Sequence, residues 1–195
     1  MLLKPLLPVF TLMLLFTQCF SETDSSQIEF RKPRQWALSA EVGLNSISSL
    51  VGPIVSYYVR PQVALDLGVG LSSTGTRPGL RARYLFSKEK TSFFGGAGFK
   101  YGLGTDGEKV DFKDTETKVD LKMTLGKSAF MDLMLGVDFL ANNGFLVLAE
   151  IGWSQLITKM PYTIVDGTPS QKTIKALDFT LGSGLMLSAS LGKAF

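Results

Sequence analysis

No histidine occurs anywhere in the 195 residues, and cysteine occurs once, at Cys19. These absences remove whole classes of chemistry: neither a Ser-His-Asp nor a Cys-His nucleophilic centre can be built, nor a histidine-containing metal site. A single cysteine also forms no internal disulfide. One-sided charge is missing too. Twenty Lys and Arg are scattered among 17 Asp and Glu with no basic cluster or aromatic interleaving, which argues against a nucleic-acid partner. No break in composition calls for a second domain.

What the chain has instead is 20 glycines, 14 phenylalanines and 45% hydrophobic residues, an odd mixture for a soluble enzyme. Residues 1–21 carry Lys4, an apolar run from Leu6 to Phe16, and small residues at Cys19 and Ser21, the form of a secretory signal peptide. The apolar run falls short of the ~20 residues a spanning helix needs. In the rival reading Cys19 becomes a lipidated N-terminus, although Gln18 departs from the small residue that a lipobox has before its cysteine. Residues 22–34 form a polar lead-in, and residues 35–195 form the folded domain.

From Trp36 onward the pattern is period-2 alternation, the mark of strands with two chemically different faces. Trp36, Leu38, Ala40, Val42 and Leu44 share one face, and Ala37, Ser39, Glu41 and Gly43 share the other. The same alternation recurs through Val51–Val59, Val63–Leu71, Leu80–Phe86, Phe93–Leu103, Leu133–Phe139 and Phe145–Trp153. A final run is expected to keep one strand parity from Leu177 to Phe195, and no long stretch is expected to be helical. Ala141-Asn142-Asn143-Gly144 predicts a hairpin turn, since Asn and Gly tolerate positive φ.

Alternation alone fits a soluble lipocalin-like barrel with an apolar cavity as well as a membrane barrel. Three features favour apolar residues facing outward. The polar face is mainly Gly, Ala and Ser with isolated charges, which suits a narrow lumen. Short connections at 60–62, 87–90 and 141–144 alternate with longer ones, as periplasmic turns alternate with external loops. Strands of about 10 residues rise ~34 Å and, tilted ~45°, cover a ~25 Å apolar band. Trp36, Tyr57, Tyr84, Trp153 and Phe179 are the candidate aromatic girdle.

With its leader, alternating strands and terminal Phe195, the chain resembles small bacterial outer-membrane β-barrels of the OmpA/OmpX type over most of residues 35–195. The resemblance implies an all-β, antiparallel, up-and-down transmembrane barrel in the bacterial outer membrane. Eight strands are expected, with ten as the alternative if residues 119–125 and a break at 182–184 add two. It also implies that Leu187, Ala189, Leu191 and Phe195 form the signal read by the barrel-insertion machinery, a pattern from which Lys193 departs.

The charges expected in the lumen are Glu41, Asp66, Arg81, Arg83, Lys100, Asp132, Asp138, Glu150 and Asp178, a salt-bridge network that leaves no wide pore. Asp132 and Asp138, or Asp111 and Asp114, are more simply lumen and loop charges than catalytic pairs. No enzyme activity, cofactor or metal is expected. The expected role is a non-enzymatic envelope protein, set among outer-membrane lipid and lipopolysaccharide. Its external loops at 105–118 and 158–172 would meet a host or surface ligand. The alternative is a secreted or periplasmic lipocalin-like barrel holding a small apolar ligand.

Overall fold

The computed structural model describes residues 34–195 apart from 73, 74, 106, 108 and 115. The leader and most of the polar lead-in, Cys19 included, lie outside the described residues. The strands are β1 (Trp36–Ser46), β2 (Ser49–Arg60), β3 (Val63–Ser72), β4 (Gly75–Leu85), β5 (Thr91–Gly102), β6 (Lys109–Lys113), β7 (Asp120–Leu125), β8 (Ser128–Leu140), β9 (Phe145–Leu156), β10 (Tyr162–Asp166) and β11 (Gly184–Ala194). One helix, α1 (Gln171–Leu181), lies between β10 and β11.

Eight strands close into an antiparallel barrel in the order β1-β11-β9-β8-β5-β4-β3-β2, while β10-β7-β6 form a separate sheet. The seam between first and last strands is in register from Ala37 opposite Ala194 to Leu44 opposite Leu187. It is extended by backbone bonds between Trp36 and Phe195 in both directions, at 3.2 and 2.8 Å. Closure leaves no open edge, so each strand finds partners on both sides. The eight-strand expectation holds, and residues 119–125 belong to the β6–β7 hairpin, which is not part of the barrel sheet.

The last strand corrects the sequence reading. Residues 171–181 are helical, so strand parity does not run from Leu177 to Phe195. Ser170 caps the helix, its hydroxyl accepting from the Thr173 N–H at 3.3 Å. Thr173, Leu177 and Leu181, spaced by four, form its packed stripe. The Gly182-Ser183-Gly184 break therefore separates helix from strand rather than two strands.

Turns at one end of the barrel are short and lie beside the start of β1 and the end of β11. The other end carries the β1–β2 and β3–β4 turns and the two long connections, 103–127 and 157–183. In β8, Asp132 and Met134 are buried while Met131, Leu133 and Leu135 are exposed, and the other walls alternate in the same way. Leu65, Leu67, Phe99 and Ile151 point outward, whereas Asp66, Lys100 and Glu150 are buried inside. This side-chain direction is the reverse of the lipocalin-like alternative, which it overturns.

The lumen is not polar throughout. Tyr58, Leu85, Phe94, Leu140, Leu146 and Leu148 form an apolar cluster inside the short-turn half of the barrel, and Met186 joins it from nearer the long-loop end of β11. The sequence pattern predicts mainly small residues with isolated charges on this face. The signal for the cluster was a run such as Phe145-Leu146-Val147-Leu148-Ala149, apolar on both faces at once.

Candidate functional site: a charged, plugged lumen beneath a folded cap

Strand pairing puts the lumen charges next to one another before any side-chain interaction is considered. Asp66 of β3 is directly opposite Arg81 of β4, with Arg83 two residues along the same inward face. Both guanidinium groups converge on that carboxylate. Arg83 grips it with two N–H bonds, Nε to Oδ2 at 2.7 Å and Nη2 to Oδ1 at 2.9 Å, while Arg81 donates from Nε at 2.6 Å. Arg83 then reaches Asp138 at 2.9 Å, and Arg81 reaches Glu150 at 2.5 Å and Glu41 at 3.5 Å. The arginine faces also lie against rings, with Arg83 5.2 Å from the Phe94 centroid and 6.0 Å from that of Tyr58.

Serines complete the acidic side. Ser188 donates to Glu150 at 2.8 Å and lies 3.3 Å from Glu41, which also accepts from Ser190. Nearer the long-loop end, Lys100 bonds both oxygens of Asp132, at 2.8 and 3.0 Å, and the Ser154 hydroxyl at 2.9 Å. Eight of the nine expected lumen residues are therefore brought together. Ion pairs desolvated to this degree survive only when paired and hydrogen-bonded; every charge in this set is paired, and Arg81 Nη2 is buried without a hydrogen-bond partner.

Asp178 is the exception and is corrected here. It lies on α1 outside the barrel, exposed, and accepts a 2.8 Å bond from the Tyr162 hydroxyl. Phe179, a proposed girdle residue, is exposed on the same helix. Conversely, Arg77 was missed. The alternation expected from the sequence begins only at Leu80, yet β4 begins at Gly75 and Arg77 keeps the odd-numbered parity of Arg81 and Arg83. It is buried inside, 4.7 Å from the centroid of Phe130.

The β1–β2 turn closes the network from the long-loop end by folding into the lumen. Ile47 and Ser48 are buried, Ser48 donates to Glu41 from its backbone N–H at 3.1 Å and its hydroxyl at 2.7 Å, and Lys100 donates to the Asn45 carbonyl. The inward bend places Asn45 and Ser49 at positive φ, 53° and 65°. Glycines on the opposing wall make room. A Cβ on Gly70 would come within 1.9 Å of the Ser48 carbonyl oxygen, and one on Gly79 within 2.7 Å of Ile47.

Above the barrel, β6, β7, β10 and α1 form a small folded cap around Met123, Leu125 and Leu181, with Phe112, Tyr162 and Leu177 packed against them. Asp114 locks it. Oδ1 accepts from the N–H groups of Glu116 and Thr117 at 2.8 Å each, and Oδ2 accepts from the Ser170 N–H at 2.6 Å, joining the β6–β7 turn to the start of α1. Burial opposes its charge, but the donated backbone hydrogen bonds outweigh burial and hold the carboxyl well below the usual carboxylate range. Tyr162 moves the other way: burial, then its bond to Asp178 and that carboxylate's charge, pushes its phenol up to about 12.

Because the folded state depresses the Asp114 pKa, the contact is full at neutral pH and persists below the ~4 at which a free carboxyl protonates. It is lost only in stronger acid. Asp114→Ala should expose Lys113 and Lys118 to faster trypsin cleavage at pH 7 while leaving barrel melting unchanged. Equal cleavage rates for variant and wild type would sink this role for Asp114.

The outward face of β11 presents Leu187, Ala189 and Leu191, and Phe195 just beyond it is exposed. Lys193 shares that face beside the short-turn end. Aromatic side chains rim this end too, with Trp36 and Tyr57 ring centroids 4.7 Å apart and Tyr84 and Phe86 5.9 Å apart.

No family model matches the sequence, and no curated protein matches it. Among solved structures the chain is similar to CarO of Acinetobacter baumannii, with TM-score 0.39 and 13% identity over 82% of this chain and 97% of that one. It is also similar to the outer membrane protein AlkL determined in DMPC lipid bilayers, with TM-score 0.42 and 10% identity over 90% of this chain and 96% of that one.

Proposed function

We propose that this chain is a non-enzymatic protein of the bacterial outer membrane, a non-conducting barrel that holds a folded cap outside the cell as a contact surface. The observation that carries this reading is the sorting of charge. The eight barrel strands contain eleven charged residues, and nine of them (Glu41, Asp66, Arg77, Arg81, Arg83, Lys100, Asp132, Asp138 and Glu150) are buried inside. The other two, Arg60 and Lys193, stand near the short-turn end. The wall between is apolar, as lipid requires and water does not.

A conducting role is disfavoured because the charge network, the inward β1–β2 turn and the apolar cluster occupy successive levels of the lumen. Insertion would proceed through recognition of Leu187, Ala189, Leu191 and Phe195 by the barrel-insertion machinery. The cap and its connections, on the side of the long loops, would meet lipopolysaccharide and a host or surface ligand.

The test is fractionation combined with gel mobility before and after boiling, followed by planar-bilayer recording. Recovery with outer membranes, a mobility shift on boiling and no stable conductance steps are expected. A soluble periplasmic protein without the shift would end the membrane reading, and steady ion conduction would end the plugged-barrel reading.

A further inference from the structure

Where the barrel meets the cap, connections 103–127 and 157–183 enclose a cleft of about 360 Å³, lined by Thr124, Lys127, Thr158, Lys159 and Thr163 among others. Lys127 immediately precedes β8, and Lys159 follows the end of β9 by three residues, so both cations stand at the level where the lipid-facing wall stops. Among the described residues neither lysine is paired with a carboxylate.

The cleft is already built. The Gly126 N–H donates to the Pro161 carbonyl at 2.9 Å, the Ile157 N–H to the Ala129 carbonyl at 2.9 Å, and the Ala129 N–H to the Thr158 hydroxyl at 3.2 Å, tying both connections to the barrel rim. Its apolar margin is exposed Ile157 and Met160, continuous with the outward Trp153 of β9. Two cations without a carboxylate partner among the described residues, together with three hydroxyls, suit a compact, oxygen-rich anion, and an apolar margin at the membrane boundary suits an anion carrying acyl chains. Free phosphate would have no use for that margin.

We infer that this cleft holds the phosphate group of an outer-leaflet glycolipid, an assignment that rests on the outer-membrane reading above. Lys127 and Lys159 donate to the phosphate oxygens, the threonine hydroxyls add hydrogen bonds, and the acyl chains run down the outer wall past Ile157 and Trp153.

The experiment is native mass spectrometry of detergent-purified barrel already shown to be heat-modifiable, titrated with diphosphorylated lipid A, dephosphorylated lipid A and inorganic phosphate. Wild type should retain diphosphorylated lipid A. Lys127→Gln and Lys159→Gln should each weaken retention by about tenfold, the worth of one charge-assisted hydrogen bond, and Lys172→Gln on α1 should not. Equal retention of the dephosphorylated form, or by the double Lys127→Gln, Lys159→Gln variant, would overturn the assignment. So would inorganic phosphate displacing the lipid at matching concentration, which would mark a free-anion site. A purified wild-type protein that shows no heat modifiability before the titration would instead count against the membrane reading itself, keeping the two failures distinct.

Discussion

Asp66→Ala lowers the stability of the folded barrel by ~3–5 kcal/mol, the usual cost of removing one partner from a buried ion pair. Asp66 is the shared acceptor of the network, taking two bonds from Arg83 and one from Arg81. Its removal leaves both guanidinium groups fully buried, Arg83 with Asp138 and Arg81 with Glu150 and the more distant Glu41. Nearby water cannot fully compensate, because Phe94 and Tyr58 close around Arg83. Urea-induced unfolding in lipid vesicles, followed by loss of the heat-modifiable band, measures the effect. A change below ~1 kcal/mol, the scale of an exposed pair, would mean that Asp66 sits in a solvated lumen rather than a packed one.

Leu135→Arg is expected to destabilise the barrel in lipid by ~2–4 kcal/mol, because Leu135 stands near the middle of β8 on the outer wall, where an arginine meets the hydrocarbon midplane. Leu135 is 62% exposed and lies opposite Gly95 and Ile151, so no packing against a protein core is at stake. Depth is the control. Thr91→Arg, at the first outward position of β5 beside the short-turn end, should cost ~0–1 kcal/mol. A soluble barrel would tolerate both arginines equally, since an exposed position in water does not distinguish them. Equal stability of the two variants in vesicles would therefore refute the lipid-facing wall.

Much of the barrel was legible because period-2 alternation survives wherever a strand separates an exposed apolar face from a crowded lumen. The strand parity that put Arg81 and Arg83 on one face with Asp66 also fixed their later contacts. Alternation was misleading where a helix imitated it. Leu177, Phe179 and Leu181 satisfy a strand parity, but only Leu177 and Leu181 are packed, at helical spacing, while Phe179 points to solvent. The Ser170 cap was the available signal.

Other features had weaker signals or none. Arg77 keeps the right parity, but it lies before Leu80, where the apolar alternation becomes regular. Nothing local distinguishes Ile47-Ser48 folded into a lumen from the same dipeptide on an external turn, because the decision is made by distant Gly68, Gly70 and Gly79 across the barrel. The Asp114 lock joins residues 56 positions apart and is equally invisible to local pattern.

The account depends most on which way the walls face, and the two tryptophans report on this without mutation. Trp36 and Trp153 are the only tryptophans in the chain, and both are about half exposed on the outer wall, near opposite ends of the barrel. The decisive measurement is quenching of their fluorescence in reconstituted vesicles by lipids brominated along the acyl chain, compared with quenching by aqueous acrylamide. Strong quenching by the brominated lipids with weak quenching by acrylamide is the predicted result. Full access to acrylamide with no effect of the brominated lipids would contradict the lipid-facing barrel.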